Sequence, residues 1–204
     1  RELFSTLPQA GAIVEIKQAR PSIVNKVIET VRQAGNEEQV LVATEKDQIM
    51  KEIGRELQTS ELSIATGFSY GEVAAFMGWL AGGKTSDYLP SGQAFQIPCE
   101  YNGMTLVNDL TLRAAHDLGL EMFVWTVNER EQMRRLLELG ALDIIQPDIC
   151  LCGGLMEMKK IAAMAEAHYV TVAPHNPMGP LATVVNVHFA ASTSNFFILE
   201  YHPD

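Results

Sequence analysis

The chain has 204 residues, 47% of them apolar and 20% charged, with a net charge of −10. That length suits one domain with a sizeable core, and an acidic balance with no basic cluster argues against a nucleic-acid partner. No apolar run reaches the roughly eighteen residues of a membrane span, and Cys99, Cys150 and Cys152, in neither zinc-type nor C-x-x-C spacing, read as reduced thiols of a cytoplasmic protein. Arg1 stands where a Met would open a natural frame, so an upstream start is expected.

Taken in chain order, residues 1–7, with Leu3, Phe4 and Leu7, form a candidate helix ahead of the first predicted strand, 12–16. A helix over 21–34 opens with Pro21 in its first turn, gathers Ile23, Val24, Val27, Ile28 and Val31 on one face and stops at Gly35. Strand 40–44, helix 45–57, strand 62–66 and helix 71–80 follow, the last ending at Gly82-Gly83. Strand 94–97 leads to helix 106–118, strand 122–127 to helix 129–139, and strand 143–146 to helix 155–167 behind Gly153-Gly154. Strand 169–173, helix 179–191 and strand 196–201 complete the chain. The strands are apolar without strict alternation, as strands buried on both faces are.

Right-handed crossovers return each strand parallel to the one before. The sequence therefore predicts an α/β fold of the (β/α)8 TIM-barrel type, with eight parallel strands in one domain over 1–204. Strand 196–201 would pair with 12–16, and the N-terminal segment would stand in for the helix lacking after the last strand. A doubly wound open sheet would carry a glycine fingerprint after its first strand; this chain has Lys17-Gln18-Ala19-Arg20-Pro21 there.

Two family resemblances meet near residue 143. Ile13-Val14-Glu15-Ile16-Lys17, Pro21-Ser22-Ile23-Val24, Val40-Leu41-Val42-Ala43, Val124-Trp125-Thr126-Val127-Asn128 and the helix from Met133 to Gly140 resemble the later strands of a glycerophosphodiester phosphodiesterase. For residues 1–142 that resemblance implies metal-dependent phosphodiester hydrolysis, with Glu15 a carboxylate ligand of Mg²⁺ or Mn²⁺, Lys17 a basic catalytic group near the phosphate, and Trp125 lining the pocket. The family's H-R-G strand, E-x-D motif and second catalytic His, which precede the Glu15 segment in that family, are not found ahead of Glu15 here, and the T-D-R-P ending is not in the sequence. Asp143-Ile144-Ile145-Gln146-Pro147-Asp148, Gly153-Gly154, Lys160 to Ala165, Ala173-Pro174-His175-Asn176-Pro177-Met178-Gly179-Pro180 and Leu199-Glu200-Tyr201 resemble the C-terminal strands of the enolase superfamily, in its mandelate racemase and sugar-acid dehydratase branch. For residues 143–204 this implies an Asp148–His175 general base, with Glu200 against the substrate or departing group. That family's upstream metal carboxylates and Lys-bearing strand are replaced by the other segment.

In barrels, functional groups sit at the C-terminal ends of strands, where Glu15, Asp148, His175 and Glu200 all fall. A carboxylate beside an imidazole fixes its tautomer and suits it to proton abstraction. In a closed barrel Glu15, His175 and Glu200 would converge, with Glu15 and Glu200 as weak Mg²⁺ or Mn²⁺ ligands. Lys17 and Arg20 would balance a small anionic substrate, a phosphodiester or a sugar acid, beside Asn176. The plainer readings are a Glu15–Lys17 ion pair, a solvated His175, and surface or packing roles for His116, His168, His188 and His202. Gly153-Gly154 reads equally as an anion-receiving helix start or simple helix geometry. Phe76 and Trp79 read as helix packing, and Met156, Met158 and Met164 as core filling. By origin the chain reads as a phosphodiesterase-like hydrolase with an incomplete catalytic set. A sugar-acid dehydratase or racemase, and a folded chimeric barrel without efficient catalysis, are the alternatives; oligomeric state is left open.

Overall fold

Val40-Leu41-Val42-Ala43 is buried at every position, which only a strand covered on both faces allows. The computed structural model places it in a parallel sheet and describes residues 11–84, 87–128, 130–139 and 144–201. The expected helix at 1–7, the boundary residues 140–143 and His202 lie outside the described residues. Compactness divides the described chain into two units, 11–94 and 95–201. That division falls inside the strand that spans 94–97, away from the boundary expected near 143.

In the first unit, β1 (Gly11–Glu15) pairs in parallel with β2 (Val40–Ala43), Ala12 opposite Val40 and Glu15 opposite Ala43. Strand β2 pairs with the two-residue β3 (Ala65–Thr66). Between β1 and β2 runs α1 (Val24–Ala34), whose Val24, Ile28 and Val31 are buried at helical spacing. The helix starts three residues later than Pro21, and Gly35 ends it at φ 67°, a left-handed conformation that Gly adopts without a Cβ clash. Helix α2 (Asp47–Ser60) packs beside it, and Ile16, Val24, Ile28, Val40, Val42 and Ile53 form a shared core. Helix α3 (Tyr70–Ala81) opens on a Ser69/Glu72 capping box. Its Phe76 and Trp79 pack with Tyr88, ring centroids 5.1–5.9 Å apart, so the expected packed face is present.

The second unit is built on the parallel order β4 (Ala94–Ile97), β7 (Glu121–Trp125), β8 (Ile144–Gln146), β9 (Thr171–Val172). Phe123 lies opposite Ile144 and Trp125 opposite Gln146, while Ile145 faces Val172 across the next pair. An antiparallel hairpin of β5 (Glu100–Tyr101) and β6 (Met104–Thr105) follows β4. Its Asn102-Gly103 turn has φ 49° and 77°, the positive pair that tight hairpins require. Helix α4 (Asp109–Asp117) begins after Asn108, whose side chain accepts from the N–H groups of Leu110 and Thr111. The helix starts later than the expected Leu106 because the buried Leu106 and Val107 both donate their N–H groups to the Cys99 carbonyl. Helices α5 (Arg130–Glu138), α6 (Leu155–Glu166) and α7 (Pro180–Ala191) separate the later strands, and β10 (Ile198–Tyr201) is the last described element along the chain. Tyr169, expected to open a strand, is instead 98% exposed at φ 60° in the turn after α6. The fold is mixed α/β with parallel sheets. Among the described residues no helix is long and apolar enough to cross a membrane.

Candidate functional site

Pro147 and Asp148 continue the line of β8, and a parallel bridge sets Asp148 opposite His175 beyond the end of β9. The backbone N–H of His175 donates to the Pro147 carbonyl at 3.0 Å and fixes that register. The side chains then meet: Asp148 Oδ2 lies 3.1 Å from His175 Nδ1. Asp148 is 1% exposed, and its other oxygen accepts the Cys150 N–H at 2.7 Å. Its own N–H donates to Asn128 Oδ1 at 3.2 Å. A buried carboxylate needs such donors. In the tautomer that donates Nδ1–H to Asp148, Nε2 is the ring's lone-pair nitrogen.

Glu200, on β10, faces that second nitrogen. Its Oε2 lies 3.8 Å from His175 Nε2 and accepts the Asn176 N–H at 2.8 Å. The Asn176 side chain donates to the Glu200 carbonyl and to Thr183 Oγ1, both at 3.0 Å. Trp125, ending β7, lies parallel to the His175 ring within 7° at a centroid distance of 6.2 Å. Asp148, His175, Asn176, Glu200 and Trp125 thus come together within the second unit. The His175 side chain remains 21% exposed.

Glu15, Lys17 and Arg20 belong to the first unit. Lys17 Nζ is 3.3 Å from Glu15 Oε2, an ion pair between the last residue of β1 and the chain two residues beyond it, and Arg20 is exposed in the turn after β1. The nominated metal carboxylates fit a divalent ion poorly: Lys17 neutralises Glu15, and an N–H occupies Glu200 Oε2. Among the described residues no group of three or more His, Cys, Asp or Glu side chains could hold a metal. No chemical step is therefore routed through one. His116, His168 and His188 are exposed. Met158 is buried as expected of core filling, but Met156 is 72% exposed and fills nothing. A cleft of about 680 Å³ in the first unit, lined by Asp47, Lys51, Leu62, Glu72 and Gln93 among others, includes none of the nominated residues.

Sequence reading missed Asn128, Thr183 and Asn186. Asn186 carries the clearest signal, a buried amide in the otherwise apolar run Val184-Val185-Asn186-Val187.

The glycerophosphoryl diester phosphodiesterase family model matches residues 4–146, more than half of the chain. The chain belongs to that family. Residues 107–204 also match the enolase C-terminal domain-like model, so 107–146 answer to both. The dual resemblance is thereby established, and the overlap is far wider than a single junction near 143.

Solved structures point to the second family. An enolase from Agrobacterium radiobacter, crystallised with bound Na and L-malate, is 29% identical with a TM-score of 0.60, over 94% of this chain and 51% of that one. A member of the enolase superfamily from Salmonella Typhimurium is 17% identical, TM-score 0.62, over 95% and 56%. A mandelate racemase/muconate lactonizing enzyme-like protein from Rubrobacter xylanophilus is 18% identical, TM-score 0.62, over 95% and 57%. The last two likenesses concern the fold alone. The chain spans about half the length of these structures.

Proposed function

We propose that the Asp148–His175–Glu200 array performs acid–base chemistry on the carbon next to a carboxylate, as in a sugar-acid dehydratase or racemase. The observation that carries this reading is the placement of both His175 ring nitrogens: Nδ1 at 3.1 Å from a buried carboxylate, Nε2 open and 3.8 Å from a second carboxyl. The likeness to an enolase crystallised with L-malate supports a small hydroxy acid as substrate. In the first step the C–H bond breaks, its proton passes to Nε2, and its electron pair remains on the substrate as an enolate. Asp148 stabilises the resulting imidazolium. In elimination, the enolate electrons expel the β-hydroxyl, which takes a proton from the Glu200 carboxyl and leaves as water. Asn176 and Trp125 border the reacting position. General acid–base catalysis contributes about 10²–10⁴-fold, so a slow reaction is expected from these groups.

The test is deuterium incorporation next to the carboxylate of galactarate or L-malate in D₂O, followed by NMR. Incorporation should occur with the parent and vanish in His175→Asn. Equal incorporation in both would remove the proposal.

The family match over 4–146 favours a second reading, phosphodiester hydrolysis through Glu15 and Lys17. Glycerophosphocholine is the substrate that tests this reading. Ordinary turnover that disappears in Glu15→Ala would reverse the ranking. Closure of the eight principal strands into one (β/α)8 barrel belongs with these proposals, supported by the regular strand–helix alternation and by the enolase-like fold.

A further inference from the structure

We infer that Asn186, on α7, is a positioning residue for Glu200, acting through Asn176. The inference rests on the acid–base reading of His175 and Glu200 and adds to it the device that holds Glu200 in place. Asn186 is fully buried in a helix whose other buried residues are Ala182, Phe189 and Ala190. Its Nδ2 donates to Asn176 Oδ1 at 3.1 Å, while its own Oδ1 is buried without a partner. A buried amide oxygen left without a donor is penalised, and an apolar residue here would avoid the penalty and suit the helix better. What the position supplies is therefore one N–H aimed at Asn176.

That N–H decides which way the Asn176 amide points. With Oδ1 held by Asn186, Nδ2 is turned to the Glu200 carbonyl and to Thr183 Oγ1. The reversed amide would set NH₂ against NH₂ on one side and oxygen against a carbonyl oxygen on the other. Two contacts then tie residue 176 to residue 200, one from the side chain and one from the backbone N–H to Oε2 at 2.8 Å. The carboxyl is thereby fixed 3.8 Å from Nε2, too far for a direct hydrogen bond and wide enough for a reacting atom to be shared. Thr183, which also bonds the Gly179 carbonyl at 3.1 Å, anchors the same amide to the first turn of α7.

The experiment uses ¹H–¹⁵N spectra of the full chain. The Asn176 backbone N–H, bonded to the Glu200 carboxyl oxygen, should resonate downfield, and Glu200→Gln should move it upfield and set the scale. Asn186→Leu is expected to move it most of that distance. Asn186→Asp, which keeps the volume but turns an acceptor toward Asn176 Oδ1, should move it at least as far. An Asn176 resonance that stays put in either folded variant, whatever the change in Tm, makes Asn186 a packing residue only and overturns the inference. If neither variant folds, Asn186→Ala decides by the same reading. Failure of the acid–base proposal shows separately, as absence of deuterium incorporation by the parent.

Discussion

Replacing Asp148 by Asn changes one atom and should reverse the role of His175. The Cys150 N–H donates to Asp148 Oδ1 at 2.7 Å, so the amide must keep its oxygen there; turned round, two donors would collide. The new NH₂ then faces His175 Nδ1 at the 3.1 Å now spanned by Oδ2. Nδ1 must accept, the ring proton moves to Nε2, and the lone pair needed for proton abstraction is gone. Removing the carboxylate of such a pair lowers turnover by about 10⁴-fold, equivalent to about 5.5 kcal/mol of barrier. Stability should change less. Exchanging hydrogen bonds to a charged group for neutral ones costs about 1–3 kcal/mol, or roughly 2–4 °C in Tm per kcal/mol for a chain of this size. Long-range ¹H–¹⁵N spectra report the tautomer directly, with or without turnover, and deuterium incorporation reports the base. An Asp148→Asn protein that keeps its proton on Nδ1 and still exchanges substrate hydrogen would refute the reasoning.

Four other outcomes follow from the same structure. A Cβ on Gly92 would lie 2.6 Å from the Gly67 carbonyl oxygen and 2.8 Å from that of Thr66, so Gly92→Ala should destabilise by about 1–3 kcal/mol; an unchanged urea midpoint would contradict this. Burial pushes the Cys99 thiol up to about 11, so iodoacetamide near pH 8 should label exposed Cys150 first. Because that value is raised, the Cys99 contribution to stability holds below the ordinary thiol range and is lost as pH climbs toward 11. Cys99→Ala should therefore flatten the alkaline limb of the stability profile, and an identical limb in both proteins would count against it. The Gly71 N–H, then the Ser69 hydroxyl, hold Asp47 below the usual carboxylate range. Its contribution, under about 1 kcal/mol at such an exposed site, is present above the ordinary value and lost as pH falls through the lowered one. Asp47→Asn should show a shallower acid limb in thermal melts.

Strand–helix alternation was legible because each element carries its own signal: the buried run Val40 to Ala43, the Val24–Ile28–Val31 face, the Gly35 stop. Short strands were less so. Thr171–Val172 and Ala65–Thr66 are shorter than the apolar runs around them, since pairing is set by neighbours that a local window does not contain. The hairpin was available in Asn102-Gly103, a strong turn signal masked by its exposed, two-residue arms. In the site, the Asp148–His175 meeting was readable from motif positions on consecutive strands. The Asn186–Asn176–Glu200 chain was not, because Asn186 acts across ten residues through a side chain whose orientation only the fold defines.

Residues 107–146 satisfy two family descriptions at once, and Trp125 is where that overlap can be tested. By resemblance it belongs to a phosphodiesterase pocket, yet its ring lies parallel to His175 of the enolase-like segment. If Trp125 serves only as a pocket wall, His175 should not sense its removal. If the parallel contact orients the imidazole, it should. Stacked rings contribute about 0.5–1.5 kcal/mol when buried. At 36% exposure Trp125 belongs at the low end, so Trp125→Ala should cost little stability while freeing the His175 ring. The indole ring current makes this visible. The His175 ring protons should lie upfield in the parent, return toward ordinary values in Trp125→Ala, and move only part of the way in Trp125→Phe. Deuterium incorporation should fall in the same order, because a mobile imidazole spends less time with Nε2 aimed at the substrate. Ring protons unmoved in Trp125→Ala would leave Trp125 to the phosphodiesterase ancestry alone and take it out of the acid–base site.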